Sequence, residues 1–436
     1  MKWETDTTQC TRLQPNRPVT HLVASWMLMI PLFFFASSGG LFFQSNALAG
    51  LNYTAESATL SGTDRVEYSL ILAVAVMLIS SKMRSVIGLC CKERALVSMV
   101  VLAVASCAWS QFPRLSLVAS IYLAVSTLFA FYLYRRFSPE QLPELLLMIG
   151  WVCLISSILL VLFLPTYGLD HATIGVAGWR GIYHKKNMCA NMTLFLLSGA
   201  FFAPTRGVFS KLLRVVYIGL SVLVIWMAHS ATGILLLACL SIYVISLKVF
   251  EKFREKDSVV IGLFATAVVM LLVVAGISYW NEIIYLLGKD PTLTGRTQIW
   301  QAIWVSIVKR PLLGYGYMAF WRGLEGESAN ILLANGWAVT SAHNGYLNIW
   351  LMLGAAGLGL VLYSLLRSIK DAALCLRSRR SSHVRWYACI VLLMVVNNVD
   401  ENTLLSPNNL FWILYIIASV GLSEETRRIR LGTDNG

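Results

Sequence analysis

Leu115-Ser-Leu-Val-Ala-Ser-Ile-Tyr-Leu-Ala-Val-Ser-Thr-Leu-Phe-Ala-Phe-Tyr-Leu-Tyr134 is a run of twenty uncharged residues, entered at Arg114 and left at Arg135-Arg136. A helix rises about 1.5 Å per residue, so this run covers about 30 Å, the thickness of a bilayer's hydrocarbon core. The same rule marks apolar runs on both sides of it. They lie near Leu22 to Phe43, Val66 to Ser81, Ala95 to Trp109, Leu145 to Leu164, Met188 to Phe202, Val215 to Ala228, Thr232 to Leu247, Val259 to Ile277, Tyr346 to Leu366, Trp386 to Val396 and Asn409 to Leu422. The chain reads as an all-α polytopic membrane protein with about 12 transmembrane helices.

Composition agrees. With 57% hydrophobic and 13% charged residues, the 436-residue chain cannot be a string of soluble domains. Its 14 Trp, 17 Tyr and 19 Phe suit the aromatic belts at the two membrane interfaces. Leu22 to Phe43 exceeds the apolar core of a signal peptide, so it is expected to stay as an anchor although Ala47-Leu-Ala49 resembles a cleavage site. Nine cysteines, mostly in apolar runs, imply no disulfide framework, and no Cys/His cluster has metal-ligand spacing.

Lysine and arginine near span ends are retained on the cytoplasmic side. With both termini inside, 25 of the 35 fall in inner segments and ten outside. Much of the net charge of +13 is thus topological, and nucleic-acid binding is not indicated. Eight of the ten outer cations crowd into two loops, against the trend that sets the topology. An anion at the outer face would account for them.

One of these loops reads Arg180-Gly-Ile-Tyr-His184-Lys185-Lys186-Asn187. A basic interfacial collar is the plain alternative, but such collars belong inside. The other, residues 278–342, is long enough to carry its own structure. In it, Ile299, Ile303 and Ile307 recur at helical spacing after Thr294, and Arg310-Pro311 ends the helix. Arg296 then lies in the first turn, where a cation opposes the helix dipole and an external anion would resolve the conflict. A solvated arginine reaching lipid phosphates is the alternative. The loop closes on Ser341-Ala-His343-Asn344-Gly345-Tyr346, which sets an imidazole at the membrane surface. His343 can act as a base near neutral pH and Asn344 can orient a hydroxyl, or His343 is simply a hydrogen-bonded polar residue. The last outer loop holds Asp400 and Glu401, which either pair with the basic loops, orient His343, or are plain surface acids.

Four blocks now stand in order: Arg180 to Asn187; Leu293-Thr-Gly-Arg-Thr-Gln-Ile-Trp300 with Arg310-Pro-Leu-Leu-Gly-Tyr-Gly316; Ala342-His-Asn-Gly-Tyr-Leu347; and the span after Asp400-Glu401. Together they resemble the O-antigen ligase and Wzy-type polymerase superfamily of bacterial inner-membrane glycosyltransferases, nearest its exopolysaccharide polymerase branch. One departure is Met352, in a line where the family often has an acid.

The resemblance implies a GT-C-like helical fold, and the apolar runs with the Lys and Arg count give its expected layout: a cytoplasmic N-terminus over 1–21, helices 1–9 over 22–277, and a large periplasmic loop between helices 9 and 10 over 278–342. Helices 10–12 would follow over 343–422, with a cytoplasmic tail over 423–436. It implies transfer of a glycan from an undecaprenyl-pyrophosphate carrier to a glycan or lipid A-core acceptor, without cofactor, nucleotide sugar or metal. A chain-length regulator and a flippase would be its partners. In that scheme Arg296 and Arg180 meet the diphosphate and His343 serves the acceptor hydroxyl. Lys185, Lys186 and Arg322 hold phosphates, and His184, Asn187, Asn344 and Glu401 complete the substrate site.

Two rivals remain in view. A ligase would use the same motifs. A transporter for anions would show matching halves and charge within its spans, and neither is evident. A structural scaffold would not cluster its outer cations.

Overall fold

A computed structural model describes residues 26–37, 62–170, 177–252, 296–335, 339, 341–378 and 381–432. The expected span Val259 to Ile277, the segment 1–21, the stretch Ala47 to Ala49 and the start of the second basic block, Leu293 to Gly295, lie outside the described residues.

Among the described residues the regular secondary structure is helical apart from one short antiparallel pair, Leu169–Asp170 with Gly178–Trp179. Helices occupy expected apolar runs at α1 (Trp26–Ala36) and α2 (Gly62–Ser80), then α3 (Met83–Lys92) forms in a basic segment expected to be an inner connection, and expected runs resume with α4 (Arg94–Ala105), α5 (Pro113–Arg136) and α6 (Gln141–Phe163). After a single turn, α7 (Pro165–Gly168), come α8 (Lys186–Phe202), α9 (Gly207–Met227) and α10 (Ala231–Lys252). Then follow α11 (Arg296–Lys309), α12 (Ser328–Asn335), α13 (Gly345–Ser378), α14 (Ser382–Asn397) and α15 (Leu410–Arg430). Five of these, α5, α6, α9, α10 and α13, are long and apolar enough to cross a membrane, and a bent pair within α2 and α3 makes a sixth. The opening run is typical. Pro113 starts α5, where its fixed φ suits a helix and its missing N–H costs nothing, and Arg135 and Arg136 close the last turn.

Two helices form the axis. α8 from Cys189 and α15 from Leu410 are buried along nearly their whole length. α8 packs on α6, α9, α10 and α14, while α15 packs on α5, α13 and α14. Polar side chains inside this core are paired across helices: Trp386 Nε1 donates to Ser198 Oγ at 3.1 Å and Trp412 Nε1 to Thr127 Oγ1 at 3.0 Å. Such bonds hold membrane helices together where the hydrophobic effect gives no preference for helix over lipid.

α13 is broken at Gly354, whose φ of 65° and ψ of −166° belong to a region essentially reserved for glycine. Residues 311–316 lie in the break and take over its backbone bonding. Tyr315 N–H donates to Leu351 O and Gly316 N–H to Met352 O, both at 2.9 Å, while Ala355 N–H donates to Pro311 O at 2.8 Å. Non-helical backbone is thereby satisfied by protein, as an apolar setting demands.

The two ends of the bundle differ. At one, ion pairs join the ends of α5, α13 and α15 to the α3–α4 junction: Arg135 meets Glu424 at 2.9 Å, and Arg427 and Arg367 meet the buried Glu93 at 2.9 and 3.1 Å. α13 runs on to Ser378 and α15 to Arg430, past the apolar stretches expected to end at Leu366 and Leu422, and Arg367 and Arg427 in these extensions are ion-paired. The opposite end gathers the loops that carry His343 and the outer basic residues.

Candidate functional site

The turn after α14 is the hub of that opposite end. Asn397 and Asn398 are both buried, and Asn398 Oδ1 accepts the N–H groups of Thr403 at 3.1 Å and Leu404 at 3.0 Å. Asn397 Nδ2 donates to Thr403 Oγ1 at 3.0 Å, and Asn191 Nδ2, from α8, donates to Asn397 Oδ1 at 3.1 Å. Side-chain amides thus replace the backbone partners that a helix end loses.

Three helices begin against this turn. At the start of α8, Asn187 Nδ2 donates to Glu401 Oε1 at 3.2 Å. At the start of α10, Thr232 Oγ1 donates to Asp400 Oδ2. At the start of α13, Gly345 N–H donates to Asn398 O at 2.8 Å, and Asn344 Nδ2 donates to Val399 O at 3.1 Å. Glycine is needed at 345 because a Cβ there would lie 2.3 Å from Asn398 Oδ1. None of the three helices has an acidic residue in its first turn. Asp400 and Glu401 supply negative charge there from outside, where the helix dipoles favour it. The arrangement brings Asn187, Asn344 and Glu401 to one place.

Asn344 also accepts Leu347 N–H on Oδ1 at 3.0 Å, capping α13. His343, just before it, is half-buried and has φ of 46°, the left-handed region. Histidine tolerates this region better than most residues, and strained backbone of this kind gathers at functional sites. Trp300 Nε1 donates to Ala342 O at 2.9 Å, which ties α11 to the histidine turn. Arg296 is the first residue of α11, one turn before Trp300. Ile299, Ile303 and Ile307 anchor α11 in a small separate core with Tyr315 and Phe320.

The first basic block is shaped by backbone bonds. Arg180 N–H and Gly181 N–H both donate to Gly168 O, and Arg180 Nε donates to Tyr167 O at 2.7 Å. Gly181 has φ of 56° and abuts Ser157, where a Cβ would not fit. Lys185 is exposed, Lys186 starts α8 with its N–H on Asp170 Oδ2 at 3.2 Å, and His184 is half-buried between Tyr183 and Lys185.

Arg322 occupies a different neighbourhood. Its guanidinium lies over the Phe112 ring at 5.4 Å and 3.8 Å from Glu325, and its side chain is 13% exposed. The adjacent Trp321 Nε1 donates to Asn348 Oδ1 at 2.7 Å, which joins this loop to α13. Met352 is buried, and its sulfur lies 3.4 Å from Met318 N. The side chain there serves the loop contact.

Sequence reasoning missed the support from the α4–α5 corner. Ser106 Oγ accepts Tyr317 N–H at 2.9 Å, Ser116 Oγ donates to Tyr317 O at 2.8 Å, and Gly316, with φ of 102°, abuts Ser110. Tyr317 OH in turn donates to Leu405 O at 2.6 Å, and burial pushes this phenol well above its ordinary range, so it stays a donor. It also missed Asn398 and Thr232, whose pairings are distant in sequence. The adjacent amides Asn397-Asn398 after an apolar run were the signal available.

Residues 216–362 match the family model described as O-antigen ligase. That stretch contains Arg296, Arg322, His343 and Asn344 and stops short of Asn187 and Glu401. No curated protein matches the chain.

Proposed function

We propose, for a chain whose residues 216–362 place it in the O-antigen ligase and Wzy-type superfamily, that it polymerises lipid-linked oligosaccharide repeat units. The donor would be an undecaprenyl-pyrophosphate-linked glycan and the site would lie on the periplasmic face of the bacterial inner membrane. The fold would be GT-C-like with about 12 spans, both termini cytoplasmic. The distribution of Lys and Arg supports that orientation, because the loops around His343 are those left outside by the positive-inside count.

The observation that carries the reading is the convergence of three helix starts on the Asn397–Glu401 turn, through Asn187, Thr232 and Gly345. It joins segments that lie outside the family match to the His343 turn within it. Asp400 and Glu401 already meet these helix starts, so the basic side chains of the neighbouring loops are what suit an oxyanion leaving group.

In this mechanism an acceptor hydroxyl oxygen attacks the anomeric carbon of the donor glycan from the face opposite the diphosphate. The carbon–oxygen bond to the diphosphate breaks, its electron pair leaves on the diphosphate, and configuration inverts. His343 takes the hydroxyl proton, and Asn344 fixes the turn that presents the imidazole. Arg296 and Arg180 bear on the developing diphosphate charge, with Lys185 and Lys186 beside them. His184, Asn187, Glu401 and Arg322 shape or steer the substrate site.

The test is chain extension by purified protein. His343→Ala and Arg296→Ala should each lower the rate on lipid-linked repeat units by about 100-fold or more, the usual cost of losing a catalytic base or a charge stabiliser. Near-wild-type rates from both variants would refute the assignment.

The description of the matched family as O-antigen ligase favours a second reading, in which the acceptor is lipid A core. The block from Leu293 to Gly316 resembles the exopolysaccharide polymerase branch more, and that resemblance supports the first. Purified protein that glycosylates core lipid and never extends a repeat unit would decide for the ligase.

A further inference from the structure

At the end of the bundle remote from His343, a cavity of about 390 Å³ opens between the C-terminal halves of α13 and α15. Arg367 and Lys370 line it from α13, Arg427 and Arg430 from α15. Against these four cations stand two carboxylates, Asp371 on the wall and Glu93 behind it, so positive charge is in excess by two.

A collar of cations at a membrane surface needs no special explanation, because their long side chains reach headgroups wherever they sit. Two features separate this pocket from a collar. Arg367 and Arg427 are held in place: both guanidinium groups meet Glu93, which is 0% exposed and also accepts Ser423 Oγ at 2.9 Å. Arg427 further donates to Lys92 O, so both forks are oriented before any ligand arrives. The second feature is apolar. Tyr363 and Leu366 line the same cavity one turn deeper along α13, and they are 59% and 66% exposed. A soluble phosphate would have no use for that wall. An amphipath would place its charge on the forks and its chains along the wall.

We propose that this pocket binds the phosphate-bearing headgroup of an anionic membrane lipid, with its acyl chains lying along Tyr363 and Leu366. The site involves no residue of the glycan-transfer scheme, so it stands or falls separately from that scheme.

The experiment uses the full chain, purified and delipidated in neutral detergent, with lipid retention read by native mass spectrometry. Phosphatidylglycerol and phosphatidylcholine are titrated onto the wild type, onto the rim variant Lys370→Gln/Arg430→Gln, and onto a control, Lys82→Gln/Arg84→Gln, whose cations are exposed outside the pocket. Neither pair touches Glu93, so the ion pairs that hold the helices are spared. The rim variant should lose about 30-fold in phosphatidylglycerol affinity, roughly five-fold per surface cation, and keep its weak phosphatidylcholine retention. The control should match the wild type. An equal loss in the control would show a diffuse charge effect and overturn the proposal, as would wild-type affinity in the rim variant. Displacement of the lipid by excess inorganic phosphate would assign the pocket to a soluble phosphate and overturn the lipid assignment.

Discussion

His343 combines two properties at one residue: an imidazole at the mouth of α13 and a backbone held at φ of 46°. They separate under substitution. Glycine removes the imidazole and relaxes the backbone, whereas alanine removes the imidazole and keeps the strain. His343→Gly should therefore be about 1 kcal/mol more stable than His343→Ala, with both inactive. Thermal unfolding in detergent and a transfer assay on the same samples check this; equal activity in either variant would deny the imidazole a chemical role. Glu401→Ala removes the acceptor for Asn187 and should cost about 1 kcal/mol together with lost activity, read the same way. At this scale the sequence was readable where a motif was local. Asn187, Asn344 and Glu401 were visible as polar residues in outer loops, while Asn398 and Thr232 were not, because their partners lie far along the chain. Met352 was noted as a departure, and its contact with Met318 gives that departure a packing role.

Among elements, α13 shows what hydropathy reads and what it misses. Its apolar length announced a helix, but nothing in the run Leu351-Met-Leu-Gly354 announced that residues 311–316 would enter it. A Cβ on Gly354 would clash with the backbone carbonyl of Leu312, so Gly354→Ala should destabilise by about 3 kcal/mol or more. Failure to purify as a monodisperse species, against normal behaviour of an exposed-face control such as Gly359→Ala, is the readout. The turn between α5 and α6 makes a prediction in pH. Glu140 Oε1 lies 3.1 Å from His383 Nδ1, and this bond holds the carboxyl down to about 2. A carboxyl lower in the folded than in the unfolded state adds stability above its ordinary value of 4.5, and the gain is lost as pH falls from there toward 2. Melting temperature should drop across that window in the wild type and drop less in Glu140→Gln.

Over the whole molecule, the loop-by-loop count of Lys and Arg separated two ends, and the fold gives each end its own character. One is stitched by ion pairs around Glu93, Glu424 and Glu425. The other is stitched by amides and hydroxyls around Asn397 and Asn398, where carboxylates meet helix starts. Hydropathy made the helices legible because lipid imposes one rule on every span. It could not reveal which loops meet, since that is decided by side-chain pairing across the bundle. The central claim is that the amide-rich end performs glycosyl transfer from a lipid diphosphate. Its most direct measurement is to incubate the purified chain, in a chelator and without nucleotide sugar, with undecaprenyl-diphosphate-linked repeat units and to quantify released undecaprenyl diphosphate against new glycosidic bonds. The account predicts release in step with bond formation, abolished in His343→Ala. Glycan product without diphosphate release, or unchanged release from His343→Ala, would contradict it.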